Sequence, residues 1–285
     1  MSDFLSMAVA GVLIGSLYGI LALPLTFVWK TTGVFDFAVG AYVAVGGIVA
    51  AEIGIPYGPI IGVFAAVAVS LIPAGLFLLF KWRQADGDGL GMGLATFGLS
   101  LAVSAGVLVW YGTSPRFLSF VEGSFIWGEI VVNKSRLIAG VVAMVVLIVV
   151  LVALSRTSLG LKIRAAASSS DHAALLGVPV RSMQCGALIV SGLLCGVVGV
   201  LAASTIGLAY TSTLQLSVLG LSASVLLGLR GPGTAFAGGI VLGLIQSLAQ
   251  GYVGGHIAGV IPPLLILLVL ATGLTTRGTM IGARP

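Results

Sequence analysis

Few side chains in this sequence could carry out chemistry, and their spacing excludes the common kinds of active site. None of the four lysines follows a glycine, so the chain has no Walker A sequence for binding nucleotide phosphates. The two histidines, His172 and His256, lack metal-ligand spacing, and no Gly-x-Ser-x-Gly elbow has plausible triad partners. We therefore expect a chain that is not an enzyme and that binds no cofactor of its own.

Asp36 is the acidic residue in the most unusual position, because it lies between two long apolar segments. An ionisable group at or near membrane depth is costly and is by default a candidate for function. It could instead cap the start of the following helix or pair with Lys30. The sequence leaves these interpretations open.

Uncharged polar side chains within the apolar segments are the other candidates for contact with a solute. One alone usually joins two helices by a hydrogen bond, whereas several together could line a path for a small, partly apolar solute. These residues are Ser16, Tyr18, Thr26, Thr96, Ser100, Ser104, Ser222, Ser224 and Gln246.

The elements that must position these side chains are membrane-spanning helices. The 285 residues are 59% hydrophobic and only 7% charged, with a mean hydropathy of +1.21. This composition excludes a soluble enzyme, a disordered chain and a nucleic-acid binder. It predicts an all-α polytopic membrane protein with a single transmembrane domain, 1–285, of about 8–9 helices. The apolar segments are 5–28, 38–54, 58–80, 90–111, 137–154, 183–203, 214–229, 235–253 and 257–272, of which 214–229 is short.

Glycine and proline indicate how these helices are built. The chain contains 42 glycines, and several recur every four residues, a spacing that lets two helices approach closely. Examples are Gly11, Gly15 and Gly19, and Gly239 and Gly243. Prolines at or inside the segments, among them Pro24, predict interrupted or kinked helices, which transporters place around a cavity.

The distribution of lysine and arginine predicts the orientation of the chain in its membrane. Nine crossings with an external N-terminus place every basic residue inside except Arg116, Lys134 and Arg136. The loop at about 112–136 is then external, and the loop at about 156–181 and the C-terminus are cytoplasmic. The cytoplasmic loop contains a short capped helix, 169–176, suited to docking.

Three stretches resemble LivH-like permeases, the membrane subunits of ATP-binding-cassette (ABC) importers for branched-chain amino acids. The first runs through Gly15-Ser-Leu-Tyr-Gly and Thr31-Thr-Gly-Val-Phe-Asp-Phe-Ala-Val-Gly-Ala-Tyr42. The second, 160–178, is the most specific and aligns without a gap, and the third is the glycine-rich stretch 226–243. The resemblance extends over nearly the whole chain.

The resemblance implies that the cytoplasmic loop is a coupling helix that inserts into a cleft of an ATPase subunit. The residues it assigns to this role are Arg164, Ala165, Asp171, Ala173, Leu175, Leu176 and Gly177. The first stretch also contains Phe37, Gly40 and Tyr42. Together with Asp36 and four of the polar residues above, they are predicted to border the translocation pathway; the four are Ser16, Tyr18, Thr96 and Ser100. The implied location is a prokaryotic cytoplasmic (inner) membrane. The implied partners are a second permease subunit (a paralogue or a second copy), two cytoplasmic ATPases that hold ATP and magnesium, and an extracytoplasmic binding protein.

Two departures from the family pattern bear on the solute. Asp36 stands where the family has asparagine, and Val39 where it has histidine. The implied solute is therefore a branched-chain or related amino acid, or a small polar molecule such as urea, an amide or an aromatic acid. The alternatives are an ion-coupled carrier or channel that acts without an ATPase, with Asp36 as the coupling residue, and a membrane scaffold without a pathway.

Overall fold

The structure is a computed structural model, which describes residues 2–83, 89–120, 123–127, 130–157, 179–252 and 254–271. Within these residues it contains nine helices and one two-stranded hairpin. The helices are α1 Ser2–Thr32, α2 Val39–Ile53, α3 Gly58–Arg83, α4 Gly89–Tyr111, α5 Lys134–Arg156, α6 Val180–Thr205, α7 Ser212–Leu226, α8 Pro232–Tyr252 and α9 Gly255–Ala271.

This architecture confirms the predicted all-helical membrane fold. Each predicted apolar segment corresponds to one helix, including the short segment at α7. Six helices in the described part of the chain are long and apolar enough to cross a membrane. The helices α2 and α7 have only 15 residues each, or about 22 Å, against a hydrocarbon core of about 30 Å.

The segment between α4 and α5 contains an antiparallel hairpin that was not predicted. Its strands are β1 Ser124–Trp127 and β2 Ile130–Asn133, with Ser124 opposite Asn133. Aromatic and β-branched residues flank a glycine at 128 in the sequence, which is a hairpin pattern.

The chain forms two compact units. The first comprises Met1–Thr26, Ser119–Leu147 and Val218–Pro285, and the second comprises Phe27–Leu118 and Ile148–Ser217. The prediction of one transmembrane domain remains a prediction.

In the first unit, the start of α1 packs closely on α8 through glycines. A Cβ atom on Gly15 would lie 2.7 Å from the Cα of Ile240, and one on Gly239 would overlap the backbone of Gly19. Ser247 of α8 donates a hydrogen bond to the carbonyl of Met7 across this contact, at 2.8 Å. The four-residue glycine spacing therefore serves helix packing.

In the second unit, α2, α3 and α6 all pack against one another, and α2 also packs against α4. Its residues from Val39 to Ala44 are all buried. A Cβ atom on Gly47 would overlap the carbonyl of Gly199 in α6, so these two backbones lie in contact. Protein therefore surrounds most of the surface of α2. Because of this surrounding protein, its ends do not need to reach the membrane surfaces.

Candidate functional site

The candidate site is built around the interruption between α1 and α2, residues 33–38, which we call the α1–α2 break. Helix α1 ends at Thr32, and the next residue, Gly33, has a φ of 73°, a left-handed conformation that glycine adopts without strain. The Gly33 N–H still bonds to the Trp29 carbonyl, at 2.8 Å. The hydroxyl of Thr32 then accepts the N–H of Val34, at 3.2 Å, so local hydrogen bonds hold the turn out of the helix.

Asp36 is buried in this break, with 2% of its surface exposed. Its Oδ1 accepts the N–H of Ala38 at 2.9 Å. The hydroxyl of Tyr42 donates to Oδ2 at 3.0 Å and lies 3.3 Å from Oδ1. The carboxyl therefore supports the start of α2, where the helix dipole also favours negative charge. The sequence also allowed Asp36 to pair with Lys30, but these hydrogen bonds of the carboxyl do not involve Lys30.

The backbone of the break is tied to two other helices by hydroxyl groups. Thr96 of α4 accepts the N–H of Phe37 at 3.1 Å. Ser217 of α7 donates to the Phe37 carbonyl at 2.8 Å and accepts the N–H of Gly40 at 3.0 Å. The N-cap residue of α2, Ala38, forms no side-chain cap bond, and the Ser217 hydroxyl instead accepts the Gly40 N–H, one of the backbone groups that a helix start leaves free.

Gly40 is required by this arrangement. A Cβ atom there would overlap the carbonyl of Thr213 and would lie 2.6 Å from the hydroxyl of Ser217. The start of α2 therefore touches the start of α7 backbone to backbone.

A small cavity of about 10 Å³ adjoins the break, which is room for about one water molecule. Most of the side chains around it are apolar. The lining residues are Val28, Thr32, Val34, Phe35, Asp36, Phe77, Met92, Thr96 and Leu188.

Helix α4 carries a line of hydroxyls away from the cavity. Thr96, Ser100 and Ser104 are spaced by four residues and so lie on one face of the helix. Ser104 donates to the carbonyl of Tyr210, at 2.8 Å, in the connection between α6 and α7. Among the described residues, the buried hydroxyl of Ser100 has no hydrogen-bond partner.

The opposite end of α2 has an ion pair. Glu52 and Arg116 lie 2.9 Å apart, with side chains 35% and 42% exposed. The backbone of Arg116 also forms a two-way bridge with Leu208, at 2.8 and 2.9 Å. The segment after α4 is thereby fixed across this end of the second unit. In the described part of the chain, no three His, Cys, Asp or Glu side chains gather as metal ligands would.

The structure brings together most of the predicted pathway residues. Asp36, Phe37, Gly40, Tyr42 and Thr96 meet at the break, and Ser100 follows one turn later on α4.

Two predicted pathway residues lie elsewhere. Ser16 and Tyr18 are buried in the first unit, where Ser16 donates to the carbonyl of Leu13 at 2.7 Å. Ser217 was missed, because its bond to Phe37 spans 180 residues and one serine in an apolar helix carries no local signal.

The predicted coupling residues lie outside the described residues, so their role stays a prediction. They are Arg164, Ala165, Asp171, Ala173, Leu175, Leu176 and Gly177.

Comparison with known proteins gives three similarities. Residues 7–270 match the family model described as the permease component of the branched-chain amino acid transport system. The chain is 24% identical to the high-affinity branched-chain amino acid transport system permease protein BraD of Pseudomonas aeruginosa, over 94% of this chain and 93% of BraD. The fold is similar to a chain of PsaBC from Streptococcus pneumoniae, solved with a Fab, with a TM-score of 0.52 and 13% identity, covering 91% of this chain and 89% of the other.

Proposed function

Because the chain belongs to the family of branched-chain amino acid transport permease components, we propose that it forms part of the pathway of an ATP-driven importer. The solute is a branched-chain or related amino acid, the class named for BraD. This chain does no chemistry, and ATP and magnesium bind to separate ATPase subunits. ATP binding there shifts the balance between outward-open and inward-open forms of the permease.

The observation that carries this proposal is the α1–α2 break. It places an acidic side chain, two hydroxyls and non-helical backbone within a unit made of apolar helices. Non-helical backbone at membrane depth is tolerated where protein surrounds it or where it lines a cavity. Interrupted helices of this kind hold the solute sites of transporters.

The proposed assembly pairs this chain with a second permease, a paralogue or another copy. Two ATPases bind on the cytoplasmic side through the loop at 156–181, and an extracytoplasmic binding protein delivers the solute. The N-terminus is then external and the C-terminus cytoplasmic, because that orientation keeps most basic residues inside.

Purification and uptake test the proposal together. The chain is purified in mild detergent from its own host, co-eluting proteins are identified by mass spectrometry, and the complex is reconstituted with the binding protein for uptake of labelled leucine. We expect an ATPase with Walker motifs to co-elute and uptake to require ATP. A chain that elutes alone at several salt concentrations, with no ATP-dependent uptake, contradicts the proposal.

Substitutions in the cytoplasmic loop test the coupling role. Arg164→Glu and Gly177→Leu are each expected to abolish uptake while the protein remains in the membrane. The matched control is Arg136→Glu, which makes the same charge change in the first turn of α5, outside the loop at 156–181. Normal uptake by both loop variants would remove the coupling assignment.

The second candidate function is an ion-coupled carrier, and the buried carboxyl of Asp36 is the observation that favours it. Such a carrier would drive uptake with a proton or sodium gradient in the absence of ATP. Collapse of uptake by an ionophore, with ATP still present, would select this alternative.

A further inference from the structure

We propose that α4 moves by one helical turn along its own axis during transport, and that the buried hydroxyl of Ser100 then takes the place that the Thr96 hydroxyl has in this structure. This inference rests on the proposed function, because it assigns a moving element to the importer. It concerns the second compact unit alone, which contains α4, the α1–α2 break and Tyr210.

Three hydroxyls repeat along one face of α4. Thr96, Ser100 and Ser104 are spaced by four residues, which is about 6 Å and close to one turn. The first accepts the N–H of Phe37 at 3.1 Å, and the last donates to the carbonyl of Tyr210 at 2.8 Å. A one-turn movement therefore brings Ser100 and Ser104 to places that hydroxyls occupy in this structure, and one-turn movements are a known way for packed helices to switch.

The middle hydroxyl, that of Ser100, is the one of the three that has no hydrogen bond to the described residues, although its side chain is 0% exposed. Leaving a buried polar group unpaired costs stability, and native proteins rarely keep such a group without a reason. Movement of α4 by one turn toward its own N-terminus places this hydroxyl opposite the Phe37 N–H. The group that is unpaired in this form is then paired in the other form.

The direction of movement follows from the groups that must stay bonded. When α4 moves toward its N-terminus, the Phe37 N–H keeps a hydroxyl partner, because Ser100 arrives there. Movement the other way would bring Met92 opposite this N–H and leave it without an acceptor. In the favoured direction the Tyr210 carbonyl faces Leu108 and loses its donor, but an unpaired buried carbonyl is more common in proteins than an unpaired buried N–H.

Thr96 can leave its place at the break without losing every hydrogen bond. Its hydroxyl also donates to the carbonyl of Gly93 in the same helix, at 2.9 Å. After the movement it would take the place of Met92, which is buried in an apolar cluster with Phe77 and Leu188. A threonine bonded to its own helix can enter such surroundings, because it brings no unpaired donor.

The packing of α4 leaves room for the movement. Gly93 faces the break, and a Cβ atom added there would lie 3.7 Å from the Phe37 ring, an ordinary contact distance. Phe97, which would arrive at this place, therefore meets no rigid obstacle at its Cβ. By contrast, a Cβ atom on Gly47 of α2 would overlap the carbonyl of Gly199 in α6, so those helices interlock. Much of the rest of α4 is exposed, including Leu94, Leu101, Leu108, Val109 and Trp110.

Crosslinking measures the movement in the whole complex, with its ATPases and binding protein, reconstituted in proteoliposomes. Cys185→Ala and Cys195→Ala first remove the native thiols, and ATP-dependent uptake of leucine is measured in this background. Tyr210→Cys is then combined with Ser104→Cys or with Leu108→Cys. A short bifunctional thiol reagent is applied without nucleotide and after trapping with ATP and vanadate. We expect the Ser104 pair to crosslink in one of these states and the Leu108 pair in the other.

Two alanine variants separate a positioning role of Ser100 from a merely structural one. Ser100→Ala removes a hydroxyl that has no partner in this form, so the melting temperature without nucleotide should be unchanged or higher. Uptake should slow by about two- to tenfold, the scale of one neutral hydrogen bond lost from the other form. Ser104→Ala is the matched control, because it removes a paired hydroxyl from the same face. Its melting temperature should fall, while its uptake is not slowed. Ser100→Thr, which keeps the hydroxyl, should recover most of the uptake.

A fall of both melting temperature and uptake in Ser100→Ala would indicate a packing role and overturn the inference. Uptake at the wild-type rate in that variant would also overturn it, as would equal yields of each crosslink in both states. If the wild-type complex shows no ATP-dependent uptake, the proposed function fails instead, so the two failures are distinguishable.

Discussion

Gly40 is the position at which adding a single methyl group should most strongly destabilise the α1–α2 break. In Gly40→Ala the new Cβ would overlap the carbonyl of Thr213 and lie 2.6 Å from Oγ and 2.8 Å from N of Ser217. Ordinary contacts are about 3.4 Å or longer, so the first turn of α7 must move, because two of the three atoms are rigid backbone. The movement also breaks the hydrogen bond that Ser217 donates to the Phe37 carbonyl and the one that it accepts from the Gly40 N–H.

The magnitude follows from these two effects. Overpacking a tight contact costs about 1–3 kcal/mol, and leaving buried backbone groups unsatisfied costs about 1–3 kcal/mol more. At roughly 2–4 °C per kcal/mol, the melting temperature in detergent should fall by about 5–20 °C. Uptake should fall with it, since the same displacement moves Asp36.

Thermal unfolding followed by fluorescence-detected size exclusion measures this change, with Gly98→Ala as the control. Gly98 lies within α4, and a Cβ atom added there would meet no neighbouring atom within 4 Å. Alanine at this position should be neutral or slightly stabilising, because it favours the helix. If the Gly40→Ala protein has the same melting temperature as the wild type, the packing argument is refuted, whatever its transport rate.

Two further predictions concern charge and packing elsewhere. The partly exposed pair of Glu52 and Arg116 should show a coupling of less than about 1 kcal/mol in a double-mutant cycle; a larger coupling would mean that the pair is shielded from water. Gly239→Ala should lower the melting temperature, because its Cβ would overlap the backbone of Gly19; an unchanged value would show that α1 and α8 adjust freely.

The helices could be predicted from the sequence because each is an apolar run bounded by glycine, proline or charge. The same reasoning found Asp36, since an acidic residue between two apolar runs is conspicuous. The resemblance to importer permeases is confirmed by the family match over residues 7–270.

The tertiary contacts that complete the site could not be predicted from the sequence. Ser217 reaches Phe37 across 180 residues, and its position on α7 depends on the close approach at Gly40, which is a property of the folded chain. Tyr42 was expected to border the pathway, but its bond to Asp36 depends on the first turn of α2 starting where it does. Tertiary contacts of this kind leave no periodic signal in either segment.

The bond between Ser217 and Phe37 also has a consequence for biosynthesis. At about 5–20 residues per second, a ribosome needs roughly 9–36 s to add the 180 residues that separate them. For that interval α2 has already been made, but the Phe37 carbonyl and the Gly40 N–H lack the hydroxyl that α7 will supply. The N-terminal half of the chain must therefore remain in the membrane or the insertion machinery with the start of α2 incompletely capped. The cap is completed when the C-terminal half supplies Ser217.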